Sequence, residues 1–136
     1  TAACPNAQVT KEDLDCALSI LSAFGKVEVV PERLMDVLTG VSGCAPAWIF
    51  MLIEAMADGA VAEGMPRSQA YECAAQAVLG SAKLMLETGK HPGELKDMVC
   101  SPAGSTIQAV RVLEEKGFRG AVTDAVITAV EKSRSL

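Results

Sequence analysis

Hydrophobic residues recur every three to four positions along most of the chain, which is the spacing of an amphipathic helix. The first helix follows Thr10, an N-cap residue, and Gly25 stands at its expected C′ position. The alternating run 26–30 then predicts a strand that Pro31 closes. One helix and one strand are an incomplete unit, because a single strand leaves its backbone groups unpaired. Residues 1–31 are therefore interpreted as the end of an α/β sheet whose other strands lie upstream.

From Glu32 onward the pattern predicts helices only. They are expected at 32–39, 45–64, 68–88, 92–99, 105–116 and 118–135. Gly40–Gly43 predicts a turn. Gly80 weakens the long helix predicted at 68–88, so we expect a packing reason for it. The helix that follows Pro46 is apolar on every face in its first half, which predicts burial on every face and a partner subunit as its cover.

Composition narrows the fold and excludes several partners. Half of the 136 residues are hydrophobic but only 4% are aromatic, so the core is expected to consist of helices packed through small side chains. A net charge of -5 argues against a nucleic-acid interface, and no Lys/Arg run would attract anionic lipid. The uncharged stretch 38–53 is shorter than the roughly 20 apolar residues of a membrane span. We therefore expect neither a nucleic-acid partner nor a membrane.

The cysteines indicate a reduced, cytoplasmic chain without a metal site. There are five, an odd number, and neither a C-x-x-C pair nor a zinc-ligand spacing occurs, because the chain has a single histidine. Cys44 and Cys100 each lie in a Gly/Ser-rich loop without an adjacent base, and they are interpreted as small loop residues instead of nucleophiles. Because the chain opens on Thr1 and not on Met, we expect a processed chain or a fragment.

Three further ionisable residues are candidates for chemistry. Glu54 and Asp58 share a helix face four residues apart and could form an acid/base pair, but the edge of an apolar helix is the preferred interpretation. His91 stands directly before Pro92 and could be a general acid, but a structural role at the helix start is preferred.

The stretch 100–107 is turn-rich and carries several hydroxyl groups. Pro102 and Gly104 predict a tight turn, and the helix that starts at Ser105 directs its free N–H groups into the loop. Those groups and the helix dipole suit a small anion such as a carboxylate, but an ordinary capped helix is an equally good interpretation.

Several motifs resemble those of pyrroline-5-carboxylate reductases. The resemblance is most specific over 92–114, which reads PGELKDMVCSPAGSTIQAVRVLE. The turn LTGVSG at 38–43 with Pro46-Ala47, the helix EAMADG at 54–59, and the stretches 87–93 and 117–119 are also similar to the family's pattern. Cys44 and Trp48 depart from it, which puts a role for a hydroxyl group at these positions in doubt.

The resemblance implies a mainly α fold. Residues 32–136 would form an all-α dimerisation and substrate-binding domain, similar to the C-terminal domain of 6-phosphogluconate dehydrogenase. Residues 1–31 would be the last part of a Rossmann domain, and the NADH or NADPH site would lie mostly upstream, since no G-x-G-x-x-G occurs here. The implied partner is a second copy in a homodimer that can assemble into a higher oligomer. The implied reaction is the reduction of 1-pyrroline-5-carboxylate to L-proline, the last step of proline biosynthesis.

The resemblance also implies residue roles. The backbone at Gly104, Ser105 and Thr106, with the Ser101 hydroxyl, would bind the substrate carboxylate, and Thr106 would be catalytic by assisting the ring nitrogen. This chain alone is expected to be inactive. Two alternatives are a non-catalytic helical dimerisation module and the same domain from a Rossmann dehydrogenase for another imine or hydroxy acid.

Overall fold

The computed structural model describes all 136 residues, Thr1–Leu136. The chain divides into two compact units, one of Thr1–Ala45 with Ala125–Leu136 and the other of Pro46–Asp124. It contains two short strands and seven α-helices: β1 (Ala2–Ala3), α1 (Lys11–Ser22), β2 (Glu28–Val29), α2 (Met35–Leu38), α3 (Ala45–Ala62), α4 (Arg67–Thr88), α5 (Pro92–Met98), α6 (Ser105–Glu115) and α7 (Phe118–Arg134). The prediction of a mainly α fold is confirmed.

The N-terminal elements of the first unit form a small parallel sheet and one helix. Thr10 caps α1 as predicted, since its hydroxyl accepts a 3.1 Å hydrogen bond from the Asp13 N–H group. The prediction of a lone strand is wrong, because β2 pairs with β1 in parallel, Ala2 opposite Glu28. Strand β1 was not predicted, because its two alanines show no alternation of hydrophobic and polar residues. Helix α1 ends one residue earlier than the predicted C′ glycine requires. Its C-cap is Ala23, so Gly25, with φ of 130°, lies one residue after the C′ position instead of at it.

The segment before α3 is helical throughout, and the predicted turn at Gly40–Gly43 is wrong. A 3₁₀ turn at Glu32–Leu34 leads into α2, and a π-helix at Thr39–Gly43 follows. Gly40 is buried because it lies against Val130 of α7, which is also buried. A tertiary contact of Gly40 therefore accompanies the helical conformation of this segment.

The second unit consists of helices with few buried side chains. Ala57 of α3 and Ala70 and Ala74 of α4 are its buried apolar residues, so small side chains form the core as the composition predicts. Within the single chain Gly80 has no packing reason, because no atom apart from its neighbours and the backbone of its own helix lies within 4 Å of a Cβ built there.

Large apolar side chains of α3 and α4 are exposed in the single chain. Phe50 and Met51 are 68% and 67% exposed, and Leu86 is 62% exposed. The continuous helical run Glu32–Ala62 has 31 residues and a mean hydropathy of 1.5 in its most apolar window, so by length and composition it could cross a membrane. That run is longer than the uncharged stretch 38–53 considered from the sequence, because the helix continues through Gly40 and Gly43. Interface helices of proteins share this length and composition.

Candidate functional site

Helix α5 leads directly into the hydroxyl-rich loop at 100–104, and hydrogen bonds close both ends of this helix. His91 is the N-cap, and its Nδ1 atom accepts a 3.1 Å hydrogen bond from the Gly93 N–H group. At the other end, the Val99 N–H group donates to the Lys96 carbonyl at 3.2 Å, and the Cys100 N–H group donates to the Asp97 carbonyl at 3.1 Å. The loop therefore starts from a closed helix end.

Residues Ser101 to Gly104 form one tight turn. The Gly104 N–H group donates to the Ser101 carbonyl at 3.1 Å, which is the hydrogen bond of a β-turn. Pro102 occupies the second position, where its fixed φ is favourable, and Ala103 occupies the third with φ of 58°. A positive φ at the third position is the mark of a type II turn.

The turn leads into the N-terminus of α6, and no side chain caps this helix. Gly104 is the N-cap residue, with φ of -71° and ψ of 166°, and no side chain bonds to the first turn. The first intrahelical bond runs from the Gln108 N–H group to the Gly104 carbonyl at 3.4 Å. The N–H groups of Ser105, Thr106 and Ile107 therefore point out of the helix.

Ser101 lies beside this N-terminus because Gly104 has no side chain. A Cβ atom built on Gly104 would overlap the Ser101 Oγ atom and would lie 3.2 Å from the Ser101 carbonyl oxygen. The residues Ser101, Ser105 and Thr106 are exposed, so their hydroxyl groups are accessible to a ligand. The structure thus brings together the four residues predicted as a substrate site: Ser101, Gly104, Ser105 and Thr106.

Two cationic side chains of the neighbouring helices are further candidates for binding an anion, Lys96 of α5 and Arg119 of α7. The Lys96 ammonium group bonds to Asp97 Oδ1 at 2.5 Å, and this bond raises the pKa of Lys96 above its usual value. Arg119 Nε donates to Glu114 Oε1 at 2.6 Å. Both side chains line a cavity of about 250 Å³ with Val110, Leu113, Glu114 and Phe118. Each cation is paired with a carboxylate at the surface, so the helix N-terminus remains the better anion site.

The other ionisable candidates do not assemble into a catalytic group. Asp58 forms an ion pair with Arg67, and the Arg67 guanidinium lies 5.6 Å from the centre of the Tyr71 ring. This pairing supports the interpretation of Asp58 as an edge residue. The preferred structural role of His91 is confirmed, because it caps α5.

The cysteines are also separate from one another. All five are free, and Cys44 and Cys100 are half-buried. No group of three or more His, Cys, Asp or Glu side chains is arranged to hold a metal ion.

One site feature was not predicted from the sequence. The turn was attributed to Pro102 and Gly104, but Ala103 carries the positive φ and Gly104 has an extended conformation. Pro followed by a small residue is the available signal, since Pro favours the second position of a type II turn.

The model of the family described as pyrroline-5-carboxylate reductase dimerisation matches residues 32–136. The pyrroline-5-carboxylate reductase of Escherichia coli (strain K12) is 61% identical over 136 residues, which are 100% of this chain and 51% of that protein. The enzyme of the same name from Methanosarcina acetivorans is 61% identical over 132 residues, 97% of this chain and 49% of that protein. The chain thus spans about half the length of the relatives it matches.

Solved structures agree with the sequence comparisons. A pyrroline-5-carboxylate reductase from Coxiella burnetii aligns with a TM-score of 0.93 and 33% identity over 98% of this chain and 50% of that one. The pyrroline carboxylate reductase of Plasmodium falciparum, solved with NADP bound, aligns with a TM-score of 0.89 and 30% identity over 98% of this chain and 51% of that one.

Proposed function

The chain belongs to the pyrroline-5-carboxylate reductase family, and on that premise we propose that it forms the dimerisation and substrate-binding part of an enzyme that reduces 1-pyrroline-5-carboxylate to L-proline. This reaction would be the last step of proline biosynthesis. The observation that carries the proposal is the uncapped start of α6 behind the Ser101–Gly104 turn, inside the segment that the family model matches.

The α6 N-terminus would bind the carboxylate of the substrate. The N–H groups of Ser105 and Thr106 point out of the helix, and the positive end of the helix dipole favours a negative charge there. The Ser101 hydroxyl lies beside these groups and can donate to the same carboxylate. The binding energy thus comes mostly from backbone groups that are in place before the substrate arrives, which reduces the entropy lost on binding.

Thr106 would act on the ring nitrogen. Its N–H group holds the carboxylate and its exposed hydroxyl extends from the same residue, so one residue can contact both ends of a small cyclic imino acid. Reduction of the C=N bond requires a hydride at carbon and a proton at nitrogen. If the imine binds already protonated, Thr106 needs only to hold the N–H group by a hydrogen bond, which orients the carbon for attack.

The hydride would come from NADH or NADPH, whose chemistry is that of the coenzyme and whose site would lie mostly outside this chain. The relative from P. falciparum was solved with NADP bound. We assign residues 1–31 to the end of a coenzyme-binding Rossmann domain and residues 32–136 to the helical domain. The parallel pairing of β1 with β2 supports the first assignment, because parallel pairs are typical of α/β sheets. The start of the family match at residue 32 agrees with it.

A second copy of the chain would cover the exposed apolar faces of α3 and α4. Phe50, Met51 and Leu86 are large apolar residues with more than half of their surface exposed, and such patches mark interfaces. We propose a homodimer, and not a lipid bilayer, as the cover of Glu32–Ala62, because the family model that matches this run describes dimerisation. We place the enzyme in the cytoplasm, which the five free cysteines support.

A chimeric enzyme tests the reaction. This chain is joined to the half of the E. coli reductase that it does not match, and NADPH oxidation is measured with 1-pyrroline-5-carboxylate. We expect turnover in the parent chimera and a loss of about 100-fold in kcat/KM for Thr106→Ala, in the range of a missing proton-donating group. Thr106→Ser retains the hydroxyl and should recover most of the activity.

Thr123→Ala is the matched control, because Thr123 is an exposed threonine of α7 outside the loop. Wild-type kinetics in Thr106→Ala would remove this residue from the mechanism. A well-folded chimera that neither turns over the imine nor binds L-proline would instead favour a non-catalytic dimerisation module. Turnover restricted to a different imine or a hydroxy acid would assign the domain to another dehydrogenase. Sedimentation at micromolar concentration should give a dimer, and a folded monomer would overturn the proposed interface.

A further inference from the structure

The N-terminus of α5 is capped by the only histidine of the chain. His91 is the N-cap residue, and its Nδ1 atom accepts a 3.1 Å hydrogen bond from the Gly93 N–H group. Pro92 between them has no N–H group, so Gly93 carries the first free N–H group of the helix. An imidazole ring therefore occupies a place that is usually taken by the oxygen of a Ser, Thr, Asp or Asn side chain.

The imidazole ring lies directly against the first turn of α5. A Cβ atom built on Gly93 would lie 3.0 Å from His91 Nδ1 and 3.3 Å from His91 Cε1, which is tighter than most contacts of real Cβ atoms. The absence of a side chain at Gly93 thus leaves room for the ring. Because His91 is exposed, a proton can reach the ring from solvent without a change in the fold.

Only one charge state of His91 can form this hydrogen bond. Nδ1 accepts from an N–H group only when it carries no proton, whereas both ring nitrogens of an imidazolium are donors. Protonation therefore removes the acceptor of the Gly93 N–H group, and it also places a positive charge at the positive end of the helix. Histidine is the side chain whose charge ordinarily changes between pH 5 and 8.

The charged side chains of α5 and of the preceding helix end do not replace the lost cap. They form three ion pairs: Lys83–Glu87 in the last turns of α4, Lys90–Glu94 across the start of α5, and Lys96–Asp97 towards its end. Each of these carboxylates already has a lysine partner. None of the three is left unpaired to stabilise an imidazolium, so protonation of His91 acts mainly through the cap.

We propose that the N-cap of α5 is a pH-sensitive switch, which is closed while His91 is neutral and opens when His91 is protonated. The stability that the cap gives to the first turn of α5 is then present near pH 8 and is lost as the pH falls towards 5. Helix α5 connects α4 to the Ser101–Gly104 turn, so the switch acts on the element that leads into the candidate site. It does not depend on the proposed reaction, and its test requires no turnover.

Hydrogen exchange at the Gly93 amide of the chimeric enzyme tests the switch. Rates are measured at about pH 7.5 and about pH 5.5, near the two ends of the range in which histidine changes its charge. Each rate is divided by that of an unstructured peptide at the same pH, which removes the pH dependence of the exchange chemistry. In the parent, protection should be about fivefold lower at the acidic pH, which corresponds to about 1 kcal/mol for a lost cap.

His91→Asn is the matched variant, because its amide oxygen can cap the helix and does not titrate. Protection of the Gly93 amide should be the same at both pH values in this variant. The Asp13 amide is the internal control, since it donates at the same distance of 3.1 Å to the Thr10 hydroxyl, which does not titrate in this range either.

Two results would overturn the proposal. One is equal protection of the Gly93 amide at both pH values in the parent, which would show that the cap survives protonation. The other is the same loss of protection in His91→Asn, because acid would then open the start of α5 without His91.

Discussion

Gly40 and Val130 lie so close together that Gly40 has no room for a side chain. A Cβ atom built on Gly40 would come within 2.6 Å of Val130 Cγ2 and within 3.3 Å of the Val126 carbonyl oxygen. Both residues are buried, and the contact connects the π-helix Thr39–Gly43 to α7 within one compact unit. The glycine therefore permits close helix approach, in a segment where the sequence indicated a turn.

Gly40→Ala should destabilise the protein by about 1–3 kcal/mol, the usual cost of overpacking a close contact. The added methyl group must displace both a branched side chain and a backbone carbonyl. Urea denaturation of the chimeric enzyme measures the effect. Gly43→Ala in the same π-helix is the control, because a Cβ there would meet Thr39 Cγ2 at an ordinary 3.7 Å. Equal stability losses in the two variants would contradict the packing argument.

Ser133 of α7 and Asp36 of α2 are joined by a hydrogen bond between their side chains. The Ser133 hydroxyl donates to Asp36 Oδ1 at 2.6 Å in a partly buried position. Ser133→Ala should cost about 1–2 kcal/mol, because it leaves a carboxylate oxygen without its partner. Ser135→Ala serves as the control in the same denaturation experiment, since the Ser135 hydroxyl is exposed and bonds only to the nearby Lys132 carbonyl. A Ser133→Ala variant as stable as the control would show that solvent replaces the bond.

The parts of the fold that were predicted correctly are those that local sequence controls. Thr10 caps α1 because the Asp13 N–H group lies three residues away, and the boundaries of α4 to α7 lie within about two residues of the predicted ones. The errors occur where distant residues decide. Gly40 stays helical because it packs on Val130, 90 positions away in the sequence, and Ala2–Ala3 become a strand only by pairing with β2.

The candidate site follows the same rule. The sequence predicted the residues of the loop, because Pro, Gly and hydroxyl side chains before a helix indicate an open helix start. It did not predict that Ala103 takes the positive φ, since a preference for negative φ is a local signal that the turn overrides. Neither could it predict that Ser101 Oγ fills the space beside Gly104, which depends on the turn's geometry.

The Cys4 thiol should react slowly with alkylating reagents. It donates a 3.3 Å hydrogen bond to Glu32 Oε2, and this bond, with a small contribution from burial and from the carboxylate charge, raises the pKa of Cys4. The bond favours the neutral thiol, so its contribution to stability is present at neutral pH and is lost as the pH rises through the thiol pKa. We expect iodoacetamide at pH 8 to modify Cys4 more slowly than the exposed Cys16, as followed by peptide mass spectrometry.

Glu32→Gln provides the matched comparison for Cys4. It removes the carboxylate charge while keeping a polar side chain of similar size, so the pKa of Cys4 should fall and its alkylation should become faster. The rate at Cys16 should not change. A Cys4 rate that is the same in both proteins would mean that Glu32 does not control the thiol.

His91 should stabilise α5 as its N-cap. Because α5 leads into the Ser101–Gly104 turn, the cap should also stabilise the helix from which that turn starts. Nδ1 accepts from the Gly93 N–H group at 3.1 Å, so His91→Ala leaves that group without a side-chain partner and should cost about 1 kcal/mol. His91→Asn offers a carbonyl oxygen at the cap and should restore most of the loss. Hydrogen exchange gives the local measurement: the Gly93 amide should exchange faster in His91→Ala than in the parent or in His91→Asn. If that amide is equally protected in all three proteins, the cap is not what holds the start of α5.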